Sequence, residues 1–143
     1  MKKFTLSLAV TSLFLVMAFI CKAQQALNIK SDTISWQYGN GENIAKSESL
    51  SITGRFISYG DKSFRWIQNG TDKQYVFDVK SVNGSWPDIS KTGEVEYTAV
   101  CEGISGTIRI YRSGGSVDIH LDFNQKDKLT PNIVLKVNSF SKI

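Results

Sequence analysis

Histidine occurs once in this chain, at His120, and cysteine twice, at Cys21 and Cys101. Cys21 falls in an N-terminal leader, so Cys101 is the one thiol of the domain that follows. One thiol makes no internal disulfide, and one histidine leaves a single candidate base for any cysteine nucleophile. Helical periodicity is missing as well: no window carries apolar residues at i, i+3, i+4 and i+7 over three turns, and β-branched and aromatic residues dominate. There is no internal repeat and no low-complexity tract.

An excess of one charge is also absent once the leader is set aside. Met1-Lys2-Lys3, the apolar run Phe4 to Ile20 and Cys21-Lys22-Ala23-Gln24 read as a basic start, a hydrophobic segment and a cleavage point after Ala23. Thr5, Ser7, Thr11 and Ser12 dilute the run, which favours a cleavable signal peptide over an uncleaved membrane anchor. Lipidation at Cys21 is a further alternative, weakened by Ile20 where a small residue belongs. The leader's ending looks like those of exported Bacteroidota proteins. Lys2, Lys3 and Lys22 all lie in it, so residues 24–143 carry 17 − 3 = 14 basic against 13 acidic residues. The basic balance of the whole chain belongs to the leader and points to no nucleic acid or anionic membrane. The expectation is an exported protein, periplasmic or extracellular, with a leader at 1–23, one domain at 24–143 and no stable membrane insertion after leader removal.

What is present is strand pattern. Between Glu94 and Phe123 two turns predict one register. With Gly114-Gly115 as a type I′ turn, Ile110 faces Ile119, Ile108 faces Leu121, Arg109 faces His120 and Tyr111 faces Asp118. With Glu102-Gly103 as a second two-residue turn, Val95 faces Ile110, Tyr97 faces Ile108 and Glu96 faces Arg109. Both turns assign Ile108 and Ile110 to the same buried side, and a slip of one residue would set Ile110 against Asp118. Glutamate at position 102 is not a favoured residue for such a turn.

Upstream, Ile34, Trp36 and Tyr38 alternate in a strand that Gly39-Asn40-Gly41 is expected to end as a turn, with Glu42 to Glu48 as loop. Leu50, Ile52 and Phe56 line one face of the next strand, with a bulge or bend at Gly54. Ser63–Gln68 and Gln74–Ser81 form a hairpin in which a Gly70–Lys73 loop sets Trp66 opposite Phe77, Phe64 opposite Val79 and Arg65 opposite Asp78. Residues Asn83 to Asp88 are the strongest break, with Trp86 closing one end of the core. A charged loop, Asn124 to Thr130, precedes a last strand with Ile133, Leu135 and Val137. The fold class is all-β: an antiparallel meander of about eight strands closed as a small barrel, with a two-sheet sandwich as the alternative. Closure removes the edges a small sandwich must protect.

The candidate chemistry lies on the wet face. Asp118, His120 and Asp122 share a side, but the outer two stand roughly 13 Å apart along a strand. One metal ion is not held by both, so no metal site and no cofactor is expected. Trp86-Pro87-Asp88 resembles the general-acid loop of protein tyrosine phosphatases. That family also needs arginine six residues after its cysteine, where Thr107 stands after Cys101. Asn69-Gly70-Thr71 and Asn83-Gly84-Ser85 are sequons in turns. Tyr111, flanked by acids and near Arg109, is the best exposed binding aromatic; Arg109, His120, Glu96 and Asp118 complete the candidate ligand site.

These features favour a non-catalytic binding protein for a small apolar molecule or a glycan. The alternatives are an envelope interaction protein pairing through a sheet edge, with an envelope protein as partner, and a hydrolase using His120. In a denaturant melt, Ile108→Ala is expected to lower stability by about 2–5 kcal/mol, and His120→Ala by less than about 2 kcal/mol. The reverse order would place the histidine inside and the isoleucine in water.

Overall fold

The computed structural model describes residues 26–123 and 132–143. The leader expected at 1–23, with Cys21, and the loop 124–130 lie outside the described residues. Nine strands follow one another: β1 (Thr33–Asn43), β2 (Glu48–Leu50), β3 (Gly54–Tyr59), β4 (Ser63–Gln68), β5 (Gln74–Asn83), β6 (Gly93–Cys101), β7 (Ile104–Arg112), β8 (Val117–Asp122) and β9 (Asn132–Lys142). Every pairing is antiparallel, and from β3 to β9 each strand pairs with the next. β1 pairs with β3 on one side and with β9 on the other, which closes an eight-stranded barrel. β2 is an extra short strand against the far end of β1.

Alternation along the strands decides which residues fill the barrel. In β6, Val95, Tyr97, Ala99 and Cys101 are buried, while Glu94, Glu96 and Thr98 between them are exposed. The filling is asymmetric. Trp36, Phe56, Phe64, Trp66 and Phe77 come from β1, β3, β4 and β5, whereas Ile108, Ile110, Ile119, Leu121 and Leu135 come from β7, β8 and β9. Rings on one wall meet branched aliphatics on the other, so large and small side chains interdigitate across a narrow interior. The rings also pack on each other: Phe56 on Phe64 at 5.3 Å, Phe64 edge-on to Tyr97 at 4.8 Å, Phe77 against Phe123 at 5.1 Å.

The two ends of the barrel differ. At the end where β1 begins, Ile29, Trp86 and Ile89 are buried and plug the opening. The Trp86 indole N–H donates to the Lys91 carbonyl at 3.0 Å, and the ring lies over Gly93 so closely that a side chain there would overlap it. The Arg112 guanidinium donates to the carbonyls of Ile89 (2.9 Å) and Gly115 (2.6 Å), tying the plug to the β7–β8 turn.

The meander has the expected register throughout, from Val95↔Ile110 to Ile108↔Leu121. Its turns are made differently from each other. Glu102 and Gly103 both have positive φ, 50° and 79°, between the paired Cys101 and Ile104, as a two-residue turn of the I′ kind requires. In the other turn only Gly114 has positive φ, and the ladder stops at Arg112↔Val117. Arg112 draws the Gly115 carbonyl to itself there, so Ser113 and Ser116 leave the ladder and the type I′ geometry is not formed.

Three upstream expectations are corrected. Gly39-Asn40-Gly41 is not a turn but the middle of β1, with register shifts at Tyr38–Asn40 opposite β9. Its glycines serve close approach: a Cβ at Gly39 would overlap the Asn138 amide, and one at Gly41 would crowd Ile52 and the Val134 carbonyl. The strand carrying Phe56 begins only at Gly54, with Leu50 in β2 and Ile52 in the connection. Gly54 makes room for the Tyr38 ring rather than a bulge. The β4–β5 hairpin is shifted by two residues, pairing Trp66 with Tyr75, Phe64 with Phe77 and Arg65 with Val76. A two-residue shift keeps every side chain on its face, so burial does not distinguish the registers. The turn does: the Asn69 N–H donates to the Thr53 carbonyl at 2.9 Å and its amide to the Thr53 hydroxyl at 3.0 Å, which draws Gln68–Lys73 out of the ladder.

Glu102 is held in a left-handed conformation that asparagine adopts more readily. Glu102→Asn is therefore expected to raise stability by about 0.5–1 kcal/mol; an unchanged or lower denaturation midpoint would show that the turn carries no strain.

Candidate functional site

The outer polar face forms as a row across β6, β7 and β8, with Glu96↔Arg109↔His120 in register and Tyr111↔Asp118 beside it. Contacts within the row follow reach rather than register. Arg109 donates from Nε to Glu94 Oε2 at 3.0 Å, and from Nη2 to the same oxygen, in place of Glu96 directly opposite. Glu94 lies two residues before Glu96, on the same face and diagonal to Arg109, within range of a long side chain. This carboxylate raises the Arg109 pKa. The guanidinium also lies 4.9 Å from the centre of the Tyr111 ring. Asp118 accepts from Lys136 at 2.8 Å and has its other oxygen buried without a hydrogen-bond partner. His120 donates from Nε2 to the Asn132 side-chain oxygen at 2.6 Å.

The five residues expected to form a ligand site thus share one outer surface but divide among separate partnerships. A shallow groove of about 270 Å³ passes Glu94, Arg109, Tyr111 and Arg112. Glu96, His120 and Asp118 do not line it. One face of Tyr111 is covered by Arg109. Among the described residues no three His, Cys, Asp or Glu side chains are grouped to hold a metal ion.

A second site lies inside, at the barrel end opposite the plug. Here a recess of about 220 Å³ is lined by Trp66, Gln68, Tyr75, Phe77, Cys101, Glu102, Ile104, Leu121, Phe123 and Ile133. It exists because the strands run past the last layer of core rings: Trp66 and Gln68 end β4, Tyr75 begins β5, Cys101 ends β6 and Ile104 begins β7. Trp66 and Tyr75 sit 5.4 Å apart, ring to ring, as one aromatic wall. Phe77, Phe123, Ile104, Leu121 and Ile133 complete the apolar lining.

The deep polar atoms near this wall are already engaged. The Trp66 indole N–H donates to the Tyr38 hydroxyl at 2.8 Å, which donates to the Ile67 carbonyl at 3.2 Å. Burial raises the Tyr38 pKa, so the hydroxyl stays protonated as that relay needs. The same cause raises the Cys101 thiol, which makes it a weak nucleophile at neutral pH and an apolar part of the lining. Among the described residues the recess therefore offers ring faces and methyl groups together with two polar side chains, Gln68 and Glu102. An engineered apolar cavity of roughly 150 Å³ stays dry and admits benzene, so this recess has room for a somewhat larger molecule.

Strand alternation alone places Trp66 and Cys101 in the core and marks Glu102 only as a poor turn residue. The recess depends on which end of the barrel is plugged, which alternation along single strands does not carry. Comparison with known proteins finds no matching family model, no matching curated protein and no matching solved structure.

Proposed function

We propose that this chain is an exported, non-catalytic binding barrel that takes a small, largely apolar molecule in the recess at the end opposite the plug. The observation that carries this reading is the recess itself: aromatic and aliphatic walls, about 220 Å³, on a barrel whose opposite end is filled by Ile29, Trp86 and Ile89. Ligand sites of this kind combine an apolar lining with a few polar groups and lie in barrel mouths. The hydrophobic leader supports export.

Other features agree with binding rather than turnover. Cys101 lines the recess with its pKa raised by burial. His120 stands on the outer face, hydrogen-bonded to Asn132, and is not part of the recess. A sheet-edge role would draw support from an unpaired last strand, but β9 is bonded to β8 on one side and β1 on the other. A glycan on the outer face would stack on the Tyr111 ring, one of whose two faces Arg109 already covers.

Ethylbenzene is the direct probe. It is expected to change the fluorescence of Trp66 saturably and to slow alkylation of Cys101, read at that residue by mass spectrometry. Tyr75→Ala, which removes part of the wall, is expected to weaken both effects. Linear, non-saturating changes with no protection of Cys101 would contradict the reading.

A further inference from the structure

The recess has one charged residue among its described lining, and it is a carboxylate, Glu102. Two independent features single it out. It lines a largely apolar space together with Gln68 and the Trp66–Tyr75 wall. It also occupies a left-handed backbone conformation, φ 50°, at the first position of a two-residue turn. Asparagine or glycine serves that position better, and strain of this sort gathers at residues held for their chemistry. The Lys73 ammonium lies over the Tyr75 ring at 4.6 Å, near enough to Glu102 for that carboxylate to help raise its pKa, but it forms no ion pair with Glu102 and is not among the described residues that line the recess.

The wall adds a second preference of the same sign. Aromatic ring faces carry negative electrostatic potential and attract a cation; Lys73 already lies over one face of Tyr75, which leaves Trp66 as the ring that adds to this preference. The Trp66 N–H is taken by Tyr38 and so is not offered to an anion. Among the described residues no arginine or lysine lines the recess, so a carboxylate or phosphate headgroup placed there would meet the Glu102 carboxylate.

We infer that the recess takes a small apolar amine, its hydrocarbon body against the aromatic wall and its ammonium at the Glu102 carboxylate. This rests on the recess being a ligand site and names the chemical class it accepts. The step is recognition only, with no bond made or broken. The size of the recess limits the body to about one ring with a short chain, by comparison with apolar cavities that admit benzene.

Three probes of one shape separate this inference from the reading beneath it: ethylbenzene, phenethylamine and phenylacetate, titrated calorimetrically into the purified protein and into Glu102→Gln. Phenethylamine is expected to bind at least about fivefold more tightly than phenylacetate, the scale of an exposed ion pair reinforced by ring faces. In Glu102→Gln the two are expected to fall within about twofold of each other, the amine losing affinity relative to ethylbenzene, since the charge is removed. Glu102→Asn serves as the second variant: it relaxes the turn, so a stable fold that has lost the amine preference separates charge from folding. Ethylbenzene binding with no preference between amine and acid, or a preference that survives both substitutions, overturns the amine assignment alone. No binding by any of the three overturns it together with the binding barrel.

Discussion

The pairing of β1 with β9 is the contact on which the other features depend. Without it the sheet would end in two strands with open rows of N–H and C=O groups, and its apolar face would have nothing to close upon. With it, eight strands share one interior, and each inward residue acquires neighbours from across the barrel as well as from its own sheet. β1 is long because it serves three partners: β3 beside its first half, β2 beside its second, and β9 along nearly all of it. The bulge at Gly39 lets it bend through that length, with Asn138 of β9 standing where a larger residue would clash.

Closure also explains why the interior is full in the middle, while the described residues leave a recess at one end. A barrel of this strand number is only wide enough for side chains to meet at its axis. Trp36, Phe56, Phe64 and Tyr97 fill that axis with essentially no exposure. At the plugged end the chain before β1 and the β5–β6 connection fold across the opening. At the other end, among the described residues, the two-residue turn at Glu102-Gly103 and the loop after Gln68 stay at the rim, and the last aromatic layer becomes the wall of the recess. The proposed binding role is thus a consequence of unequal ends rather than of any motif.

How much of this was legible in the sequence depended on whether two constraints met at one residue. Ile108 and Ile110 were assigned correctly because two turns on either side demanded the same face, and the barrel follows from hairpin links that leave an edge to be hidden. The β4–β5 hairpin lacked a second constraint: a shift of two residues preserves the faces, and the bonds from Asn69 to Thr53 that set the true register join segments sixteen residues apart in sequence. Gly39-Asn40-Gly41 has turn composition, yet glycine answers equally to close backbone approach, and the approaching Asn138 comes from the last strand. The outer-face residues were placed on the correct side. Their partners were not, because Arg109 selects Glu94 diagonally and Asp118 selects Lys136 across β9, choices made by side-chain reach. Glu102 was visible as an unsuitable turn residue, but only the folded barrel sets it at the edge of an apolar recess.

Backbone hydrogen exchange tests the closed barrel most directly. The account predicts that amides of Trp36 and Tyr38 in β1 and of Leu135 and Val137 in β9 exchange as slowly as those of Tyr97 and Ile108 in the meander, all opening only in the global unfolding event. Fast, loop-like exchange along β9 and the facing side of β1, with β6 to β8 still protected, would mean an open sheet and would remove the basis for a plugged end and a recess alike.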